Sequence, residues 1–364
     1  MRLDFSFIDP DSPRWSETLG AIRHDFYHLP SYARLAGRQE GGEAMAFVAE
    51  EGGRRLLVPL IVRPVPVSVT GGGGLLDATC PYGYSGPLID PGTEGGGQVR
   101  FLDRAIGILL EQLRERNIIS LFLRLHPILA LPLEPLARAG HLCQHGDTVS
   151  VDLTFSEENN RKQMCSMHRR AIQRAERIGI CARIDQEWRE IEAFIGLYYQ
   201  TMRRVGADQA FYYPHDYFSD LRRALDGRLH LCVVEFGGRI ISAGLFAETS
   251  GIVQYHLSGS DEEFLAYSPL KTMLDFVRRW AKGRGNRVLH LGGGVSSKKG
   301  DSLFAFKVGF SRARHPFYTW RAVTDEPAYR ALIERWELCS GMRADGIDGF
   351  FPAYRRQAAA QLPG

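Results

Sequence analysis

Ala44-Met45-Ala46-Phe47-Val48-Ala49-Glu50-Glu51-Gly52-Gly53, then Arg54-Arg55-Leu56-Leu57-Val58-Pro59-Leu60-Ile61-Val62, is one of two stretches in this chain built to the same plan. The other is Leu229-His230-Leu231-Cys232-Val233-Val234-Glu235-Phe236-Gly237-Gly238, then Arg239-Ile240-Ile241-Ser242-Ala243-Gly244-Leu245-Phe246-Ala247. Each reads as an apolar strand, a Gly-Gly turn and a return strand, because glycine supplies the positive φ that a tight hairpin needs. Downstream of each stand an amphipathic helix, a polar break and a buried strand. These are residues 101–116 and 118–125 in the first copy, and 269–282 and 287–291 in the second. Ser268 before Pro269 predicts the start of the second helix, with the hydroxyl capping free amides and proline suiting the first turn. The repeated order of hairpin, helix and strand predicts an α/β (α+β) fold of two similar lobes, residues 1–152 and 153–364. The first copy is longer between its turn and its strand. The excess falls around residues 71–74 and in Pro81-Tyr82-Gly83-Tyr84-Ser85-Gly86-Pro87, and loops of this kind often carry specificity.

Composition supports two ordinary domains. At 364 residues each lobe can bury a core, and 44% hydrophobic with 24% charged residues is the balance of a globular protein. A net charge of +3 excludes a basic surface spread over the whole molecule, so any footprint for a polyanion must be local. Cys80, Cys143, Cys165, Cys181, Cys232 and Cys339 are scattered, without a Cys-x-x-Cys pair, which argues against a disulfide framework and a zinc site. The start Met1-Arg2-Leu3-Asp4 lacks an apolar signal core, and no apolar run reaches spanning length. The expectation is a cytoplasmic protein with no membrane span and no metal.

The concentrated basic feature is the segment linking the two copies. Residues 157–178 predict one helix, with Ser156 as its cap, acids in its first turn and Gly179 at its end. Met164, Met167, Ala171, Ala175 and Ile178 form its apolar stripe. Arg170, Arg174 and Arg177 share one polar flank, and Lys162 with Arg169 another. A solvated helix face explains most charge runs, but here Glu176 is the one acid past the first turn, which favours a face that meets phosphate.

A second feature closes the second copy: Val288-Leu289-His290-Leu291-Gly292-Gly293-Gly294, then Asp301-Ser302-Leu303-Phe304-Ala305-Phe306-Lys307-Val308-Gly309-Phe310. A buried strand running into glycines permits close approach of backbone to a ligand, without the spacing of a P-loop. Lys307, among Phe304, Phe306 and Phe310, either snorkels to water or is poised toward a site. No nucleophile elbow, His-Glu-x-x-His, paired-carboxylate motif or ligand-spaced histidine pair can be read.

At these residues the chain resembles the Fem family, whose members resemble two fused GNAT (acyl-CoA N-acyltransferase-like) domains and transfer an amino acid from aminoacyl-tRNA to an amine. The family's Arg-x-x-Ile-x-Lys-Ala, then Gly, is similar to Arg169-Arg170-Ala171-Ile172-Gln173-Arg174-Ala175 with Gly179. Its tyrosine followed by Arg-Gly-Pro and an acid resembles Tyr82-Gly83-Tyr84-Ser85-Gly86-Pro87-Leu88-Ile89-Asp90, with Ser85 where arginine is usual. Its strand-Gly-Gly segment and later Phe-Lys pair look like Leu291-Gly292-Gly293 and Phe306-Lys307. No charged hairpin suggests the coiled-coil arm of some members, so the resemblance is to an armless form.

The resemblance implies that Lys307, beside Phe306, stabilises the oxyanion formed when an amine attacks an aminoacyl ester. It implies that Tyr82, Tyr84 and Asp90 orient the acceptor, with Tyr213 and Tyr217 lining the same cleft. Arg169 and Arg174 would hold phosphates of a nucleotide-linked acceptor or of tRNA, and Arg170 and Arg177 would meet tRNA or phosphate. The acceptor implied is the amine of a peptidoglycan-precursor peptide or of a small metabolite, with aminoacyl-tRNA as co-substrate and no other cofactor. The rival is an acyl-CoA-dependent GNAT N-acyltransferase. Its diphosphate loop should stand at Ser258-Gly259-Ser260-Asp261-Glu262-Glu263, where three acids would repel the ligand, although Thr70-Gly71-Gly72 offers a divergent substitute. A third reading is a non-catalytic module that keeps the double fold for binding.

Overall fold

The computed structural model describes residues 3–70, 74–90, 92, 97–295 and 300–356. In chain order these form β1 (Asp4–Ile8), α1 (Pro13–Ala21), α2 (Pro30–Glu40), β2 (Glu43–Glu51), β3 (Arg54–Pro64), α3 (Val67–Thr70), β4 (Leu76–Thr79) and β5 (Leu88–Asp90). There follow α4 (Gln98–Glu115), β6 (Ile118–Arg124), α5 (Glu134–Ala139), β7 (His141–Asp152), α6 (Glu157–Gln163), α7 (Ser166–Arg177), β8 (Cys181–Asp185), α8 (Ile191–Arg204) and α9 (His215–Leu225). The chain ends through β9 (Leu229–Phe236), β10 (Arg239–Thr249), β11 (Ile252–Ser260), α10 (Pro269–Gly283), β12 (Val288–Gly292), α11 (Ser302–Val308), β13 (Ala313–Val323) and α12 (Glu326–Ser340). Two compact units result: Met1–His145 with Phe317–Gly364, and Gly146–Pro316. The sequence reading divides the chain after residue 152, whereas these units divide it at 145/146 and return it to the first unit at 317. β7 and β13 are the strands on which the chain passes from one unit to the other.

Both Gly-Gly hairpins form. Gly52 and Gly53 have φ of 57° and 78°, and Gly237 and Gly238 have 58° and 77°, the pair of left-handed residues that a two-residue turn requires. Each unit then repeats one strand order. The first runs β1-β2-β3-β4-β6-β13 and the second β8-β9-β10-β11-β12-β7. In both, the first three pairings are antiparallel. The next is parallel, and the last antiparallel again. The parallel pairing is where the crossover helix lies, α4 in one unit and α10 in the other, as a connection between parallel strands requires.

The two units differ in one instructive place. β3 pairs β4 near one end (Ile61↔Thr79) and β5 near the other (Leu57↔Leu88), so β4 and β5 together stand where the second unit has the single strand β11. The longer first copy is therefore an insertion into that strand, and it carries Tyr82 and Tyr84. The glycines at 71–73, the other part of the extra length, lie outside the described residues.

Each sheet buries one face against its crossover helix. In the first unit Phe101, Leu102, Ile106, Leu109 and Leu113 of α4 pack on Val58, Leu60, Leu121 and Leu123. In the second, Met273, Leu274, Val277 and Ala281 of α10, with Ile172 and Ala175 of α7, pack on Val253, Leu289 and Leu291.

Two local expectations need correction. The linking segment is two helices, broken at Met164 and Cys165, whose backbone is extended. The break is enforced from outside: the Cys165 amide donates to Gly309 O at 2.8 Å, and its Sγ accepts the His168 amide to cap α7. Ser156 does cap α6, accepting from the Asn159 amide at 3.2 Å. Ser268 does not cap α10, because its backbone is left-handed and its hydroxyl makes no capping bond, while Pro269 takes the first helical position as expected.

Candidate active site

Lys307 occupies the point where two parallel strands separate. The β11–β12 ladder ends at Gln254↔His290. Its ammonium donates to Gly293 O just past β12, at 2.6 Å, and lies 5.7 Å from the centroid of the Tyr255 ring, one residue past the ladder on β11. The side chain is 7% exposed, and burial lowers its pKa to about 8, a nearby Asp301 opposing the shift. Asp301 also organises the surroundings, accepting the Phe304 amide to cap α11 and the Val295 amide to fix the glycine-rich turn.

Phe306 holds this helix from the other side. Its carbonyl contacts His168 Nε2 at 2.9 Å, and the His168 ring meets Phe306 and Phe310 at 5.4 and 4.7 Å. A Cβ on Gly309 would lie 2.4 Å from that imidazole, so glycine is demanded here by packing. His168, Tyr255 and Asp301 were not legible as site residues, because each matters through a contact made far away in sequence.

Phe306 also lines a cavity of about 320 Å³ bounded by Thr201 and Arg204 of α8, residues 258–260 ending β11 and residues 268–271 opening α10. This cavity bears on the three acids of the sequence reading. Asp261 and Glu263 both pair with Arg239, at 2.5 and 3.1 Å, and the charges that line the cavity are Arg204 and Lys271. The repulsion expected there is largely neutralised.

In the first unit the inserted loop is held from three directions. Tyr32 Oη donates to Tyr82 O at 2.9 Å, His28 Nε2 lies 3.2 Å from Gly86 O, and Gly83, at φ 108°, approaches the Tyr27 ring where a Cβ would sit 2.1 Å away. Burial, then the neighbouring His126, holds His28 well below the usual imidazole range. Tyr82 is 39% exposed and stands over Arg124, 5.6 Å from its guanidinium carbon. Tyr84 meets His126 at 6.0 Å and Phe317 at 5.2 Å. Asp90 ends β5 opposite Arg55, and its carboxylate accepts the Gly92 amide.

The remaining candidates separate into groups. Arg170, Arg174 and Arg177 project from α7 into solvent. Arg169 instead donates to Arg161 O and Met164 O at 3.0 and 2.9 Å, closing the end of α6. Tyr213 and Tyr217 stack at 4.2 Å, with Tyr217 only 4% exposed and enclosed by Phe218, so it serves as core beneath Tyr213. Among the described residues no helix is long and apolar enough to cross a membrane, and no group of three His, Cys, Asp or Glu is placed to hold a metal ion.

Comparison with known proteins fits this geometry. Residues 162–308 match the acetyltransferase (GNAT) domain, which makes this lobe a GNAT-type acyltransferase domain. The structure of FemX superposes over 90% of this chain and 99% of its own, with a TM-score of 0.68 at 14% identity. This is a Fem-like tandem GNAT fold. The same tandem GNAT fold is shared, at 15% identity, with the C-terminal domain of a protein named lysylphosphatidylglycerol synthetase from Agrobacterium fabrum (TM-score 0.54, 92% of this chain, 99% of that one). L-PGS from Bacillus licheniformis is similar to the same degree (15% identity, TM-score 0.55, 90% and 97%). No curated protein matches in sequence. The two GNAT lobes are not equivalent: in the first, the Cys80 amide and sulfur bond Phe122 O and the Arg124 amide across the β4–β6 gap, where the second lobe places Lys307.

Proposed function

We propose that this chain is an aminoacyltransferase that moves an amino acid from aminoacyl-tRNA to an amine, forming an amide, and that it works in the cytoplasm. The observation that carries the reading is the buried ammonium of Lys307 at the separation of β11 and β12. A cation held in a dry site stabilises developing negative charge far better than one in water. The acceptor amine attacks the ester carbonyl, whose electron pair moves to oxygen and is met by Lys307. Collapse of the tetrahedral intermediate re-forms the carbonyl, expels the tRNA ribose oxygen and leaves the amide. The proton lost by the amine goes to that leaving oxygen, and Lys307, with its pKa near 8, can relay it.

Arg170, Arg174 and Arg177, exposed and on one flank of α7, supply the local footprint for tRNA phosphates. Tyr82 and Tyr84, on their fixed loop, orient the acceptor. One of the similar structures is named for lysylphosphatidylglycerol, itself an aminoacyl product. The second reading, an acyl-CoA donor, is favoured by one observation: Arg204 and Lys271 line the cavity between β11 and α10 while the nearby acids are paired with Arg239. Native mass spectrometry of the protein purified from its host decides between donors. Bound tRNA supports the first, and bound CoA without tRNA overturns it.

A further inference from the structure

The first unit carries a half-buried cation with no carboxylate partner among the described residues. Arg124 ends β6 on the sheet face opposite the α4 core, paired with Thr319 of β13, while Phe122, two residues before it, pairs with Arg321. Its guanidinium carbon lies 5.6 Å from the centroid of the Tyr82 ring and 4.8 Å from that of Phe122, and its one polar contact among the described residues is Cys80 Sγ at 4.0 Å. Among the described residues no carboxylate pairs with it, although most other half-buried arginines here are paired, such as Arg63 with Glu40 and Asp77. A half-buried charge without a counter-ion costs free energy that a fold retains when a ligand supplies the missing charge.

The surroundings define the ligand further. His145 Nε2 lies 2.8 Å from Thr319 Oγ1, and its ring meets Phe317, which in turn meets Tyr84. Burial first, then the positive charges of Arg321 and Arg124, push His145 below its ordinary pKa, so the field on this face is positive while the imidazole stays neutral. Arg321 is buried and gives one guanidinium nitrogen to Ile347 O and Gly349 O, whereas the fork of Arg124 meets no carbonyl or carboxylate among the described residues. One planar fork left open to a ligand matches the two oxygens of a single carboxylate.

We propose that Arg124, beside Tyr82 and Phe122, binds the carboxylate of a carboxylate-bearing amine such as an amino acid or short peptide. That such an amine serves as the acyl acceptor rests on the acyl-transfer reading. The binding itself needs no donor and no turnover, so its failure is separable from a failure of transfer.

The test is a ligand-observed NMR titration of the full chain with three amines: glycylglycine, glycylglycinamide and O-phosphoethanolamine. Glycylglycine binds the parent, its amide binds at least about tenfold more weakly, and Arg124→Gln, shown folded by its melting curve, loses about as much for glycylglycine. Phosphoethanolamine binds no more tightly than glycylglycine. Equal affinity for the acid and its amide overturns the proposal, as does undiminished glycylglycine binding by folded Arg124→Gln. Tighter binding of phosphoethanolamine, lost with Arg124, replaces the carboxylate by a phosphate ester and overturns the assigned class. If Arg124→Gln does not fold, the comparison of acid with amide on the parent decides alone.

Discussion

Replacing Lys307 by methionine separates a structural lysine from one that serves the reaction. Burial sets the pKa near 8 against an ordinary 10.5, so carrying the charge at neutral pH costs the fold about 3 kcal/mol. Because the folded pKa is lowered, that cost is complete below about pH 8 and fades as pH rises toward 10.5. Lys307→Met removes the cost and keeps most of the packing, while losing the hydrogen bond from Lys307 to Gly293 O, worth about 1 to 2 kcal/mol. The variant therefore melts at or slightly above the parent temperature at pH 7. If the ammonium meets a developing oxyanion, kcat falls about a hundred- to a thousandfold with little change in acceptor binding, because the lost interaction belongs to the transition state. In the parent, activity declines as pH rises through about 8, as the cation is lost. The assay is single-turnover transfer of a radiolabelled amino acid from tRNA to the acceptor, beside a melting curve. A well-folded Lys307→Met that transfers at the parent rate refutes the role.

Three further outcomes follow from the geometry. Neutralising Arg170 or Arg177 reduces the slope of log affinity for tRNA against log salt by about 0.7 to 0.9 for each phosphate that the variant no longer neutralises, read by filter binding at several salt concentrations. Gly309→Ala drives a Cβ into the His168 ring and lowers stability by about 1 to 3 kcal/mol, seen as a lower melting temperature. The hydrogen bonds of Arg278, at 2.6 Å each, hold the Glu157 carboxyl below its ordinary pKa of 4.5; its stabilisation is present above that value and is lost as pH falls through the lowered one. Glu157→Gln accordingly lowers the melting temperature near neutrality and makes less difference in acid.

Much of the fold was legible because its signals are local. The Gly-Gly turns at 52–53 and 237–238 and the two crossover helices announce themselves by residue type and period, and the matching strand orders follow from them. The failures are non-local. Met164 and Met167 continue an apolar period, so nothing nearby betrays the break that Gly309 O and the Cys165 cap impose. Residues 81–87 read as a loop, but that they interrupt one strand to leave β4 and β5 depends on the register of β3. The site divides in the same way. Lys307 stood out by its phenylalanines, whereas Tyr255 and Gly293, which fix its ammonium, come from β11 and from the turn just past β12. Arg124 looked like an ordinary strand residue in Leu123-Arg124-Leu125. Its interest comes from Tyr82 above it and from the absence of a pairing carboxylate among the described residues.

The donor is decided by one experiment: the purified protein is given a carboxylate-bearing amine and, in parallel, radiolabelled aminoacyl-tRNA or acetyl-CoA, and amide product is counted. Product from aminoacyl-tRNA alone, abolished by ribonuclease pretreatment of the donor and strongly reduced in Lys307→Met, is the predicted result. Product from acetyl-CoA with none from aminoacyl-tRNA contradicts it.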